Sequence, residues 1–143
     1  ISVFKSIVDI GTDMIDNIED VDSYSFSYAQ DTGFNFEEKI CRMRMIVSFQ
    51  AKDKTEKELD AHGEFGVETI FNVENMDDFV SIVNEEKQVD GMLGTWLSAI
   101  AYSTMRGIIL QETQNTLLKG IIIPVVDPKR LLTEENESSK QQA

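Results

Sequence analysis

From Trp96 to Leu110 the chain reads WLSAIAYSTMRGIIL, and its single charge is Arg106. Leu93, Trp96, Leu97, Ile100, Ala101, Thr104 and Ile108 fall on one stripe at helical spacing. Ala99, Tyr102, Met105 and Ile109 form a second. The spacing predicts a long helix over 92–114. A helix apolar nearly all round must be covered on more than one side. Its apolar run falls short of the roughly 18–20 residues needed to span a bilayer, so the cover has to be protein. Gly94 and Gly107 each cost about 1 kcal/mol of helix propensity relative to Ala, which makes sense if another element approaches closely there.

Upstream, the pattern changes to a period of two. Cys41, Met43, Met45, Val47, Phe49 and Ala51 share one face of a strand, against Ile40, Arg42, Arg44, Ile46, Ser48 and Gln50 on the other. A further strand runs from about Leu59 to Val73, with Ala61, Phe65, Val67, Phe71 and Val73 facing the core and His62, Glu64, Glu68 and Asn72 facing out. Gly63 and Gly66 within it suggest a bulge or a close approach by another backbone. Two earlier strands complete the set. In the first, Phe4, Val8 and Ile10 share a face. In the second, Ser23–Ala29, the large residues Tyr24, Phe26 and Tyr28 alternate with serines, and Asp31-Thr32-Gly33 reads as a turn. Met76–Glu86 reads as a short helix with Asn75 as its N-cap and Asp77 and Asp78 in its first turn.

These elements amount to an α+β domain: a four-stranded antiparallel sheet, a short helix and a long C-terminal helix. One sheet face covers one side of the long helix. The other side needs a second subunit, so the expectation is an oligomer with Ile100, Tyr102 and Ile108 at its interface. Arg106, alone in its apolar stretch, should be paired, either with a carboxylate or with chain-end carbonyls near Pro124–Asp127. After the helix, Pro124 and Pro128 rule out a central strand. Residues 1–132 then form one domain, and Thr133–Ala143, polar and without an apolar anchor, reads as a disordered tail.

The remaining composition narrows the function. Thirteen Lys and Arg stand against 26 Asp and Glu, a net charge of −13, which disfavours nucleic acid and anionic membrane as partners. Nine acids and no base lie between Asp9 and Glu38, either a solvated acidic edge or a docking surface for a basic partner. One Cys precludes an internal disulfide and fits a reducing compartment. One His leaves little for zinc or for triad chemistry. No phosphate-binding glycine loop and no Gly-x-Ser-x-Gly occurs. Nothing in the residues argues for an enzyme, a metal or a cofactor. The chain starts at Ile1 rather than at a Met, which leaves a preceding leader open.

The segment AYSTMRGIILQETQNTLLKGIIIPVVDPKRLL, Ala101–Leu132, resembles the SecB protein-export chaperone family. The likeness lies in Tyr102 and Arg106 in the long helix, Thr116 after it, and Ile123-Pro124-Val125-Val126-Asp127-Pro128 leading to Leu131-Leu132. FGVETIFNV, Phe65–Val73, is similar to the family's last strand. The resemblance implies a cytoplasmic homotetramer that acts as an ATP-independent holdase for unfolded polypeptides or preproteins. It implies delivery to the translocation ATPase SecA through acids on the outer sheet face, here Glu64 and, more loosely, Asp9. A SecB-like branch serves antitoxins instead. Glu68, four residues from Glu64 on the same strand face, extends that acidic patch.

Holding an unfolded chain takes exposed apolar surface with adaptable side chains. Tyr24, Phe26 and Tyr28 are the first candidates for a client groove, with Trp96 and Leu97 at the helix start. Cys41, on an apolar strand face, reads as core. Two other readings compete. A hot-dog-type thioesterase also wraps a sheet around a long helix, but its helix comes early and carries an acid, whereas Met92–Leu110 has none. A purely structural oligomer is the second.

Overall fold

The computed structural model describes residues 1–130. In chain order it contains β1 (Ser2–Ile10), α1 (Thr12–Ile15), β2 (Ser23–Asn35), β3 (Ile40–Lys52), β4 (Glu58–Asn72), β5 (Val80–Val83), β6 (Glu86–Val89) and α2 (Gly91–Gln114), with short 3-10 turns at Ile18–Asp20 and Met76–Phe79. The first four strands form an antiparallel sheet in the order β1-β4-β3-β2. Residues 11–22 carry the chain from one edge of the sheet to the other. β1 and β2, consecutive in sequence, are therefore its two edges.

The expected alternation holds on β3 and β4. Cys41, Met43, Met45, Val47, Phe49 and Ala51 are buried, as are Ala61, Phe65 and Val67. Against this face lies α2, which buries Leu93, Leu97, Ala101, Tyr102, Met105 and Ile109. The helix starts one residue before the expected Met92. Asp90 caps it, its Oδ1 accepting from the Met92 N–H at 2.9 Å.

Three local expectations are corrected. Residues 76–86 are not a helix. After the 3-10 turn the chain makes a hairpin, β5 against β6, with Asn84 and Glu85 both at positive φ (52° and 65°). The β-branched run Val80-Ser81-Ile82-Val83 prefers extended backbone, and two successive left-handed residues are what a tight two-residue hairpin turn requires. Second, β2 does not turn at Asp31-Thr32-Gly33 but continues to Asn35. Thr32 and Phe34 carry on the inward alternation, and Gly33 has neither a positive φ nor a close neighbour. The turn comes at 36–39, where Lys39 has a φ of 57°. Third, Phe4 does not share a face with Val8 and Ile10. The register of β1 on β4 shifts between Val3 and Lys5, and one extra residue sends the side chains before it to the opposite face. The Phe4 ring thereby lies over Gly66 on the outer face, under the Arg44 guanidinium at 4.3 Å.

Beyond α2 the chain doubles back as an extended strap. Thr113 anchors its start: the Gly120 N–H donates to the Thr113 carbonyl at 3.0 Å and the Ile121 N–H to its hydroxyl at 2.7 Å. Gly120 takes a φ of 93° there, a conformation that favours glycine. Ile121 and Ile123 are fully buried. Arg106 Nε donates to the Ile123 carbonyl at 2.9 Å, and the Tyr102 hydroxyl donates to the Pro124 carbonyl. The expected partner of Arg106 is thus a strap carbonyl, one residue ahead of Pro124. Pro128-Lys129-Arg130 begins a helical turn capped by Asp127, whose Oδ1 accepts from the Lys129 N–H at 3.0 Å. Leu131-Leu132 and the tail Thr133–Ala143 lie outside the described residues.

Candidate functional site

The inward face of β2 carries Tyr24, Phe26 and Tyr28 in a row, all half-buried. They are half-buried because β2 is an edge: β3 flanks them on one side, and among the described residues no strand does on the other. Tyr24 meets Phe49 edge-on, ring centres 5.9 Å apart at 83°, and lies 6.4 Å from Phe26. Tyr28 faces Tyr102 of α2 at 5.8 Å. Gln30, further along the strand, donates from Nε2 to the Ser98 hydroxyl at 3.0 Å, which fixes how the helix crosses the sheet. Burial pushes the Tyr24 phenol above its ordinary range. Tyr102 is raised further, by burial first and then by its bond to Tyr28, with Arg106 partly opposing.

The second apolar surface is the side of α2 that turns away from the sheet. Met92, Trp96, Ile100 and Leu110 are exposed there, Trp96 at 50% and Ile100 at 53%. Phe79, at the base of the hairpin, meets Trp96 edge-on at 5.9 Å and 85°. Two residues expected at open surfaces lie inside the protomer instead. Leu97, assigned to a client groove, is in the core, and so is Tyr102, assigned to the subunit interface. The reason is helical phase: Tyr102 belongs with Met105, Ile109 and Thr113 on the sheet-facing stripe. Ile108 is half-buried, with its side chain against the core.

The three acids Asp9, Glu64 and Glu68 stand on the outer sheet face, and β1 and β4 are neighbours, so all three share one surface. Each faces a base. Lys5 Nζ is 2.8 Å from Glu64. Arg42 binds Glu68 through two nitrogens at 2.7 and 2.8 Å, and Arg44 Nε lies 3.5 Å from the same carboxylate. His62 Nε2 is 3.8 Å from Asp9. The surface is a chequered one rather than a bare acidic patch. Beside it a shallow cavity of about 450 Å³ is lined by Ile7, Ser25, Ser27, Ser48, Gln50, His62 and Glu64. Sequence reasoning passed over it, although the small serines alternating with the aromatics on β2 were its signal. It also missed the hairpin tip, where Ile82 is 73% exposed.

Cys41 is fully enclosed, and burial lifts its thiol to about 11. Among the described residues no three His, Cys, Asp or Glu side chains converge on a point where a metal could sit. No described helix is long and apolar enough to cross a membrane.

No family model and no curated protein matches the chain. Among solved structures it is similar to the Mycobacterium tuberculosis SecB-like chaperone Rv1957, seen in complex with a ChAD peptide from the Rv1956 HigA1 antitoxin. The TM-score is 0.58 at 8% identity, over 87% of this chain and 86% of that one. The fold is SecB-like. Within this SecB-like fold the aromatic face of β2 and the open side of α2 are separate surfaces, joined only through the core.

Proposed function

We propose that this chain is an ATP-independent holdase chaperone that binds unfolded polypeptide, and that it is not an enzyme. The observation that carries the reading is the aromatic row on an unpaired edge strand. Tyr24, Phe26 and Tyr28 present half-buried rings beside a free edge, a surface suited to apolar segments of many sequences. Cys41 is closed off from solvent, and among the described residues no three His, Cys, Asp or Glu side chains converge on a point where a metal could sit. The similarity to a chaperone seen with an antitoxin peptide supports a polypeptide as ligand.

The reading includes a homotetramer in the cytoplasm, with the open side of α2 between subunits. Docking on SecA would have to use Asp9, Glu64 and Glu68. Since Glu64 and Glu68 are already in ion pairs, a basic partner would need to exchange them, and exposed pairs are each worth under about 1 kcal/mol. Such docking would weaken steeply with salt.

The test is light scattering of a slowly folding protein diluted from denaturant, with and without this chain. Suppression at near-stoichiometric ratio, unaffected by ATP, is expected. Phe26→Ser should lower it several-fold while the circular dichroism spectrum stays unchanged. Full aggregation in the presence of excess wild-type protein would overturn the holdase reading.

A further inference from the structure

The two edges of the sheet are built differently. β1 is interrupted by the register shift at Phe4 and carries Lys5 on its outer face. A bulge and a lysine are both devices that discourage another chain from pairing with an edge. β2 has neither. Its 13 residues pair with β3 without a register shift from Ser23–Lys52 to Asn35–Ile40. It contains no Pro, no Lys and no Arg. Its second row of backbone N–H and C=O groups faces no strand among the described residues. A long, regular, unguarded edge is a template for one more strand.

Charge selects the occupant. Asp22 precedes the strand and Glu37 and Glu38 follow it. All three are exposed, and none is in an ion pair among the described residues. A second copy pairing antiparallel would bring the Asp22 end of one β2 beside the Glu37 end of the other, and like charges oppose each other there. A segment with basic residues at its ends gains at both. The side chains add a second requirement. The aromatic row lies on the inner face of β2 and the serines Ser23, Ser25 and Ser27 on the outer. Alternate residues of an added strand would therefore meet rings on one side and hydroxyls on the other.

We propose that β2 takes an extended polypeptide segment as a fifth strand, and that the segment alternates apolar and small polar residues between basic ends. This rests on the holdase reading for the identity of the partner and adds the mode of binding. Main-chain pairing explains how one surface accepts unlike sequences: the hydrogen bonds come from the backbone, and only the alternation is read.

The probe is a synthetic peptide of alternating valine and threonine with lysines at both ends. Two derivatives are N-methylated, one at every valine and one at every threonine. Methylation removes the N–H groups of one edge of the peptide and leaves its side chains in place. Only one derivative should lose affinity, by about tenfold or more, since its backbone hydrogen bonds to the β2 edge disappear. In the same titration, hydrogen exchange should slow at alternate amides of β2 and not of β1. Equal affinities of the two derivatives, or no binding of the parent peptide, would overturn the pairing. So would protection of the β2 amides that grows with protein concentration in the absence of peptide, which would assign the edge to a second copy. Light scattering run alongside separates the outcomes. Suppressed aggregation with equal affinities leaves the holdase standing without the fifth strand, and failure of both removes the two together.

Discussion

Tyr102 and Arg106 show how single polar atoms hold apolar surface in place. The strap 120–126 inserts Ile121 and Ile123 into the core, yet it belongs to no sheet, so its carbonyls need other donors. Arg106 Nε serves Ile123 and the Tyr102 hydroxyl serves Pro124. Tyr102→Phe should cost about 1 kcal/mol, and Arg106→Met, which strips a charged donor from a buried carbonyl, about 1.5–3 kcal/mol. Denaturant melts of both variants measure this, and unchanged midpoints would refute the latch. Cys41 gives a prediction with a pH window. Its thiol is raised from 9.0 to about 11 by burial, so between those values the unfolded chain has lost a proton that the folded chain keeps. Stability from this group is intact below about pH 9 and falls as pH rises toward 11, by at most about 1.4 kcal/mol per pH unit. Cys41→Ala should flatten the stability profile across that window relative to wild type. In the native protein near pH 8 the thiol should resist alkylation, and denaturant should release it.

At the scale of elements, the legible parts were those in which one periodicity ran long enough to exclude the other. Thirteen residues of strict alternation made β3, and 24 residues at helical spacing made α2. The hairpin was not legible, because Asn75 followed by Asp77 and Asp78 imitates a helix start, and four-residue strands are too short to show a period. Nor was the flip of Phe4, since a bulge depends on what lies across the ladder. The ring fills the space that Gly66 leaves open. The candidate site divides in the same way. The aromatic row of β2 followed from alternation, but whether Leu97 and Tyr102 faced in or out depended on where the sheet met the helix. Two substitutions test these elements. Glu85 holds a φ of 65° at the hairpin turn, so Glu85→Gly should stabilise the hairpin by up to about 1 kcal/mol. At Gly63 a Cβ would come within 2.4 Å of the Ile7 carbonyl and 2.5 Å of the Phe49 ring. Gly63→Ala should therefore separate β1 from β4 or cost about 1–3 kcal/mol, visible as a lowered Tm.

For the whole molecule the decisive quantity is the apolar surface that the protomer leaves uncovered. A sheet face and a strap cover the inner side of α2, while Met92, Trp96, Ile100 and Leu110 remain in contact with water on the other. A chain of net charge −13 has ample polar side chains to spend on that surface, and four large apolar ones stand on one helix face instead, as the proposed subunit interface would require. Two aspartate substitutions one turn apart separate protomer from assembly. Ile100 is half open in the protomer, so in Ile100→Asp the carboxylate stays hydrated whenever the subunit is alone. The fold should persist and the assembly should dissociate, because burying an unpaired charge between subunits costs about 3–5 kcal/mol. Leu97 is 6% exposed within the protomer, so Leu97→Asp should unfold the subunit itself. Sedimentation with circular dichroism reads both. Wild type should run at a multiple of 16.2 kDa, Ile100→Asp as a folded monomer, and Leu97→Asp as unfolded or aggregated chain. A folded wild-type monomer at micromolar concentration would refute the interface, and so would an Ile100→Asp variant that keeps the wild-type mass.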